Sequence, residues 1–249
     1  MCILGFRWDP AGAEPLRVAG NRDEVYDRPA APLDWWPGGR ILGGRDLRDG
    51  GTWLAVDRRG RLAAVTNFRS PGSAVPGAPS RGRLPLAFLE GDQPAAAFLG
   101  ELAPRAGGYS PFNLLLFDGT DLLGFESRTG RVVAFGPGCH AVSNGAFDEP
   151  WPKVEDLRAG LAEADGEGDL LALLAQDRPY PDARLPRTGV GLELERALSP
   201  AFVRLPAYGT RASTLVRVGR ARMEVLERTF GPQGPEGDRR FEVALPLRR

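Results

Sequence analysis

The second residue of this chain, Cys2, could act as an N-terminal nucleophile. A cysteine at this position is small enough for methionine aminopeptidase to remove Met1, which would leave a thiol and a free α-amine on one residue. The thiol has an ordinary pKa of about 8.5 and the amine one of about 7.7–8.0, so the amine could accept the thiol proton and later return it to a leaving group. The alternative is a buried strand cysteine without a chemical role.

Four polar or charged residues, Asn21, Arg22, Asp23 and Glu24, follow the apolar stretch LRVA and Gly20. If CILGFRW and LRVA form neighbouring antiparallel strands, the end of the second strand returns beside Cys2. A carboxylate there could hold the α-ammonium, and an arginine could stabilise the thiolate. The alternative is a solvated turn. Alternation along a strand would direct Arg22 away from the face that carries Asn21 and Asp23.

Asn67 and Arg69 of TNFR lie two residues apart, so a strand would present both on one face, either as a pocket wall or as an ordinary strand end.

Cys139 and His140 are sequence neighbours, which a strand would direct to opposite faces. His140 is the single histidine, and no CxxC pair occurs. The sequence therefore predicts no metal site and no disulfide framework.

The charge and hydropathy patterns exclude several classes of partner. Lys+Arg and Asp+Glu are balanced at 32 each, so nucleic acid and anionic membranes are not expected partners. Arg7, Asp9 and Glu14 interrupt the N-terminal apolar run, and no apolar run reaches about 18 residues, so neither a signal peptide nor a transmembrane segment is predicted. We expect a cytoplasmic protein with one domain over residues 1–249. Lys153 is the only lysine, and this arginine bias indicates GC-rich coding and a bacterial source.

The elements that must position these residues occur in the order strands, helices, strands, helices, strands. Short apolar runs predict strands in CILGFRW, PLRVAGN and GTWLAVDRRGRLAAVTNFR, and helices in LPLAFLEGD and QPAAAFLGELAPRA. The segment FNLLLFDGTDLLGFESRTGRVVAFGPGCHAVSNG is typical of an antiparallel meander, and PWPKVEDLRAGLAEA and DLLALLAQ predict two further helices. A proline-rich passage over 178–206 precedes three closing strands, STLVRV, RMEVLERTF and RRFEVALPL. This order predicts an α+β protein with sheets stacked between helix layers.

A series of segments resembles the NRDE, or transport-and-Golgi-organisation type-two, family. The segments are NRDE after an N-terminal Met-Cys, then GGRDLRDGGTWLAV, GRLAAVTNFRSPG, SRGRLPLAFL, FNLLLFDG, HAVSNGAFDEPWPKVE and YGTRAST. The resemblance runs from Met1 to about Val218 and is weaker beyond. It implies an N-terminal-nucleophile (Ntn) hydrolase-like fold, a four-layer αββα sandwich of antiparallel sheets flanked by helices.

The resemblance also implies roles for individual residues. Cysteine relatives in that superfamily, including penicillin V acylase, bile salt hydrolase and acid ceramidase, cleave C–N amide bonds. By this resemblance Cys2 is the nucleophile, Asp23 holds its amine, Asn144 donates to the oxyanion and Arg211 lies near the nucleophile. A side-chain amide aimed at a developing oxyanion is worth about 3 kcal/mol. The residues expected to contact substrate are Asn21, Arg22, Asn67 and Arg69.

One departure from the acylase pattern concerns the arginine. The acylases carry an arginine three residues before the aspartate, where this chain has Gly20, and Arg22 immediately precedes Asp23 instead. Arg69 or Arg211 is a candidate to compensate.

Three functions are compatible with these residues. The first is a cysteine Ntn amidohydrolase that acts on a linear amide bond of a small N-acyl substrate and requires no cofactor. The second is a non-catalytic haem- or lipid-binding or trafficking protein that uses the same pocket for an apolar ligand; haem needs an axial ligand, for which Cys2, Cys139 and His140 are the candidates. The third is a structural or trafficking factor, which the bacterial composition disfavours. The sequence indicates no particular protein partner.

Overall fold

The computed structural model describes residues 2–246, which form thirteen strands and five α-helices. The strands are β1 Cys2–Trp8, β2 Leu16–Val25, β3 Ala30–Trp35, β4 Ile41–Asp46, β5 Leu54–Asp57, β6 Leu62–Asn67, β7 Phe112–Phe117, β8 Leu122–Glu126, β9 Arg131–Ala134, β10 Gly138–Val142, β11 Tyr208–Val218, β12 Arg222–Gly231 and β13 Gly234–Ala244. The helices are α1 Arg83–Glu90, α2 Ala95–Leu102, α3 Pro152–Glu163, α4 Glu167–Leu174 and α5 Leu192–Ala197. Short 3-10 turns span Ala103–Gly108 and Asp182–Arg184.

The strands form two antiparallel sheets. The first sheet has the order β10-β1-β2-β11-β12-β13, and the second runs in sequence order from β3 to β9. An apolar cluster that includes Phe6 and Leu115 lies between the sheets. Helices α1 and α2 bury residues such as Phe88 against the second sheet, and α3 and α4 bury Leu157 and Leu170 against the first. The layers therefore confirm the predicted αββα sandwich of antiparallel sheets flanked by helices.

Alternation along β1 explains why this strand lies inside the molecule. Leu4, Phe6 and Trp8 belong to the cluster between the sheets, whereas Ile3 belongs to the cluster under α3 and α4. At Gly5 an added Cβ would lie 2.7 Å from Cγ of Leu157, so only glycine allows α3 to approach so closely. Because β1 is apolar on both faces, it is held between β10 and β2 in the interior of the first sheet.

The pairing of β1 sets what surrounds Cys2. On one side β2 runs antiparallel, with Cys2 opposite Arg22 and Leu4 opposite Gly20. On the other side β10 pairs Val142 with Leu4, and the chain continues past the start of β1. The predicted adjacency of CILGFRW and LRVA is therefore confirmed, and it brings the NRDE tetrapeptide beside Cys2.

The structure differs from the predicted elements in three places. β10 was predicted as part of the meander, but the chain leaves the second sheet between Ala134 and Gly138, and β10 pairs with β1 instead. β3 and β4 were not predicted, because proline, glycine and tryptophan interrupt the apolar alternation there. The proline-rich passage contains the short helix α5. None of the described helices combines the length and the apolar character needed to cross a membrane.

Candidate functional site

A cleft of about 280 Å³ opens at the start of β1, next to the end of β2. The loop over 75–82 forms part of its wall, together with Trp53 and Asn67. The charged residues that line the cleft are three arginines, Arg22, Arg28 and Arg81, and four acidic residues, Asp23, Glu24, Asp46 and Asp49. The cleft is therefore polar and close to electroneutral, which suits a polar ligand better than an aliphatic one.

Cys2 lines this cleft and is partly exposed. Burial raises the pKa of the Cys2 thiol above its ordinary value. The positive charge of Arg22 and a hydrogen bond from the main-chain N–H of Asp23 act in the opposite direction and favour the thiolate. The thiol pKa is raised on balance, so the nucleophile needs a base to lose its proton near neutral pH.

Arg22 is buried beside Cys2, with 5% of its surface exposed. Its guanidinium carbon lies 4.6 Å from the centre of the Trp53 ring, a cation–π contact. Nη2 lies 3.8 Å from Glu24 and 4.0 Å from Asp46, which is too far for a hydrogen bond. Alternation directs Arg22 away from the face of β2 that carries Asn21 and Asp23, as predicted, and this places it on the same side of the sheet as Cys2.

Asp23 is 2% exposed and accepts a hydrogen bond from Oγ1 of Thr210 at 2.7 Å. Burial raises the pKa of this carboxyl group, and the positive charges of Lys153 and Arg69 oppose that rise. The Thr210 hydrogen bond also favours the ionised form. The carboxylate is therefore held in a buried, positively charged environment next to the strand partner of Cys2.

Lys153 is a residue of this site that the sequence reasoning did not assign. Nζ donates to the carbonyl oxygens of Leu198 at 3.0 Å and Pro200 at 3.3 Å, and the residue is 3% exposed. Burial lowers the pKa of Lys153 to about 8, while the negative charge of Asp23 favours the ammonium. One signal was available in the sequence: Lys153 is the single lysine among 32 cationic residues, and it follows the PWP segment.

Asn144 lies two residues after the end of β10 and is completely buried, outside the residues that line the cleft. Its neighbour Ser143 donates from Oγ to the carbonyl oxygen of Cys2 at 3.1 Å, which fixes this segment against the start of β1. Nδ2 of Asn144 donates to the carbonyl oxygen of Asn67 at 2.7 Å. An amide nitrogen carries two N–H groups, so this bond accounts for one of them.

Asn67 and Arg69 separate in the structure. Asn67 ends β6 and lines the cleft, whereas Arg69 lies beyond the strand, outside the cleft lining. Nη1 of Arg69 donates to Oε2 of Glu195 at 2.7 Å, and both residues are buried. Strand alternation does not extend to Arg69, so Asn67 lies at the cleft wall and Arg69 does not; contact of either residue with a substrate stays a prediction. Glu195, on α5, is a second buried charged residue that sequence reasoning missed.

Asn21 and Arg211, both expected near the nucleophile or the substrate, make structural contacts instead. Nδ2 of Asn21 donates to the carbonyl oxygens of Leu174 and Ala201, on the helix-facing side of β2. Arg211 lies at a bulge in β11, and its guanidinium donates to the carbonyl oxygens of Phe230, Val25, Tyr26 and Arg28. Neither residue lines the cleft. Both hydrogen-bond to main-chain oxygens, which fastens neighbouring segments to the sheet.

Trp53 and its neighbours come from the segment GGRDLRDGGTW, which the resemblance marked without assigning roles. An added Cβ at Gly44 would overlap the Trp53 ring, so glycine at this position lets the indole lie against β4. Oγ1 of Thr52 donates to the carbonyl oxygen of Gly44 at 2.7 Å and holds the turn before Trp53. Gly44 and Thr52 therefore position the aromatic ring against which Arg22 lies.

The fold and the site together define an αββα protein whose first strand presents a cysteine to a polar cleft. Residues 1–232 match the model of the family described as Transport and Golgi organisation 2, and the chain belongs to that family. The predicted family is thereby confirmed.

The curated relatives include animal proteins of the same family. A Transport and Golgi organization protein 2 homolog from Bos taurus is 33% identical over 249 residues, and the alignment covers 88% of each chain. The homolog from Homo sapiens is 31% identical over 245 residues, with the same coverage of both chains. Because these relatives are animal proteins, the bacterial source stays a prediction.

Two solved structures are similar at low sequence identity. A mutant of the conjugated bile acid hydrolase from Clostridium perfringens has a TM-score of 0.47 and 13% identity, covering 98% of this chain and 92% of that one. An N-acylethanolamine-hydrolyzing acid amidase ortholog from Caenorhabditis elegans has a TM-score of 0.42 and 11% identity, covering 86% of this chain and 92% of that one. These values establish no shared activity.

Proposed function

We propose that this chain is an N-terminal cysteine hydrolase that cleaves the linear amide bond of a small N-acyl substrate. The observation that carries the proposal is the position of Cys2, which begins β1 in a polar cleft with Arg22 opposite it on β2. A thiol at the start of a strand, beside a buried carboxylate, matches the requirement for a nucleophile and a held terminal amine.

The base in this proposal is the α-amine that Cys2 gains when Met1 is removed. Met1 lies outside the described residues, so its removal stays a prediction. Because burial raises the pKa of the thiol, the thiol needs a base, and the α-amine, whose ordinary pKa is about 7.7–8.0, is the proposed acceptor of its proton. Asp23, the residue after the strand partner of Cys2, is the carboxylate proposed to hold the resulting ammonium.

The reaction then proceeds in two balanced steps. The sulfur of Cys2 attacks the amide carbonyl carbon, a C–S bond forms, and the C–N bond breaks as the ammonium returns its proton to the departing amine. Water, deprotonated by the same α-amine, attacks the thioester carbonyl, which releases the carboxylic acid and restores the thiol. The N–H of Asn144 that is not donated to Asn67 is the proposed donor to the oxyanion in both steps.

Lys153 acts through Asp23 in this proposal. Its ammonium and the carboxylate are mutually stabilising buried charges, so Lys153 favours the ionised form of Asp23 that the terminal ammonium requires. Lys153 is therefore a positioning residue. It reaches the sheet because it lies in the first turn of α3, which packs against β1.

The cleft residues do not fit haem, the cofactor of the carrier alternative. Of the three candidate axial ligands, only Cys2 lines the cleft. Both ring nitrogens of His140 are hydrogen-bonded, to Asp148 at 2.7 Å and to the carbonyl oxygen of Gly136 at 2.9 Å. The charged lining is also unsuited to a macrocycle or an aliphatic chain. Hydrolysis of a polar amide therefore has the stronger support.

The proposal is tested with purified protein and a panel of N-acyl amino acids and N-acyl amines. Intact-mass analysis should show the loss of Met1, and amine release should be measurable with at least one member of the panel. Cys2→Ala should abolish turnover, whereas Cys139→Ala, at the other cysteine, should retain it. Retention of Met1 in active protein, or turnover by the Cys2→Ala variant, would contradict the proposed mechanism.

A further inference from the structure

Arg22 has hydrogen-bonding capacity that the described residues leave unused. Nη1 is buried and has no hydrogen-bond partner, and the nearest acidic oxygens to Nη2 lie at 3.8 and 4.0 Å. A buried guanidinium without direct acceptors has lost hydrogen bonds to water that the protein does not replace. This loss costs free energy. A ligand that supplied acceptor oxygens would recover that loss.

The other two arginines of the cleft are already engaged. Arg28 donates to Asp46 at 2.7 Å and to Asp49 at 2.6 Å, so its guanidinium is shared between two carboxylates. Arg81 donates from Nη1 to the carbonyl oxygen of Pro111 at 3.0 Å, which fastens the loop over 75–82. Among the described residues, Arg22 is the cleft arginine whose guanidinium donates no hydrogen bond.

The geometry around Arg22 suits a planar acceptor. The Trp53 ring lies against the guanidinium at 4.6 Å and fixes its plane, and Arg22 is the direct strand partner of Cys2. A guanidinium held in this way presents its N–H groups as a fork, which matches the two oxygens of a carboxylate. The distance from Cys2 is that of paired residues in neighbouring strands, so one small ligand can reach both.

We propose that Arg22 binds a carboxylate of the ligand, so that the compounds recognised at this cleft are small anionic N-acyl compounds such as N-acyl amino acids. This inference rests on the proposed function for the amide bond, but the anion site itself does not require hydrolysis. Glu24 and Asp46 limit the site to one anionic group, because a second carboxylate would face them without a cation of its own.

The test uses two alkylating reagents that differ in charge, iodoacetate and iodoacetamide, in a Cys139→Ala background where Cys2 is the only thiol. The ratio of the two alkylation rates at Cys2 reports the anion site, because any change in the reactivity of the thiol affects both reagents alike. Arg22→Met should lower the iodoacetate-to-iodoacetamide ratio by about tenfold, the effect of losing one charge-assisted hydrogen bond.

A matched control is available in Arg45→Met. The Arg45 guanidinium also lies over a tryptophan, Trp36, at 5.0 Å, but Arg45 is not among the residues that line the cleft. This variant should leave the ratio unchanged. An unchanged ratio in Arg22→Met, or an equal fall in both variants, would overturn the proposal.

A second measurement avoids any substitution at Arg22. In the same Cys139→Ala background, N-acetylglycine should protect Cys2 from iodoacetamide at a concentration about tenfold lower than N-acetylglycinamide, because only the former carries a carboxylate. Equal protection, or none by either compound, would overturn the anion site. Protection without turnover would retain the anion site and contradict the proposed hydrolysis, so the two failures are distinguishable.

Discussion

Asp23 and Lys153 are two buried charges, 2% and 3% exposed, and each favours the charged form of the other. Asp23 lies on β2 and Lys153 in the first turn of α3, on the side of the first sheet opposite the inter-sheet core. This pair links the helix layer to the cleft. Because Lys153 is the only lysine, its pKa can be measured directly.

The first prediction is that Lys153 titrates far below an ordinary lysine. Burial lowers its pKa to about 8, against about 10.4 for an unperturbed side chain. Protein labelled selectively with ¹³C-lysine should give a single Cε resonance from the described chain, whose chemical shift changes with a midpoint near pH 8. A midpoint above pH 10 would contradict the buried environment. Asp23→Asn should lower the midpoint further, because it removes the negative charge that favours the ammonium.

The second prediction concerns Glu227, which is 1% exposed and lies on β12. Burial raises its pKa to about 7, although its oxygens accept hydrogen bonds from the main-chain N–H of Leu33 at 2.6 Å and from Thr214 at 3.1 Å. The folded chain therefore binds more protons than the unfolded chain between pH 4.5 and 7, so the free energy of unfolding falls as the pH rises through this window. Glu227→Gln should remove that fall.

The measurement is urea denaturation at pH 4 and pH 8. Glu227→Gln should be more stable than the parent at pH 8, by up to about 3 kcal/mol, and nearly equal to it at pH 4. Glu236→Gln, an exposed glutamate on β13, is the control and should show no such difference between the two pH values. A loss of stability at pH 8 in Glu227→Gln would show that the carboxylate is favoured there.

The third prediction is that Gly44 is required for the position of Trp53. Gly44→Ala places a Cβ within the volume of the indole ring, so the ring must move, and we expect a loss of about 1–3 kcal/mol from overpacking. Because Trp53 supports Arg22, the iodoacetate-to-iodoacetamide ratio at Cys2 should fall as well. Gly100→Ala, in α2 with open space around it, should be neutral or stabilising by about 1 kcal/mol. Equal effects of the two substitutions would count against this account.

The fourth prediction treats Arg69 and Glu195 as a buried ion pair. Nη1 and Oε2 lie 2.7 Å apart, and the other carboxylate oxygen, Oε1, accepts hydrogen bonds from the main-chain N–H and Oγ1 of Thr188. Arg69→Met leaves the carboxylate buried without its partner and should cost about 3–5 kcal/mol. Combining it with Glu195→Leu should recover part of that loss. A double variant as unstable as the sum of the two single variants would show that the pair is not coupled.

Local patterns in the sequence were enough to predict most of the fold. Apolar runs and turn residues marked β1, β2 and the helices of both outer layers, because periodicity follows directly from which face of each element is buried. The adjacency of Cys2 and the NRDE tetrapeptide also followed, since two strands joined by a short turn pair with each other. Alternation correctly separated Arg22 from Asn21 and Asp23.

The tertiary structure decided which of these residues share the cleft. β10 joins the first sheet rather than the meander, and this long-range pairing brings Ser143, the neighbour of Asn144, to the carbonyl oxygen of Cys2. Lys153, Trp53 and Glu195 reach the site or its surroundings from distant segments, and Asn21 and Arg211 are engaged by main-chain oxygens instead. Such contacts join segments that are distant in the sequence. They form only when the layers pack together, so local sequence patterns do not predict them.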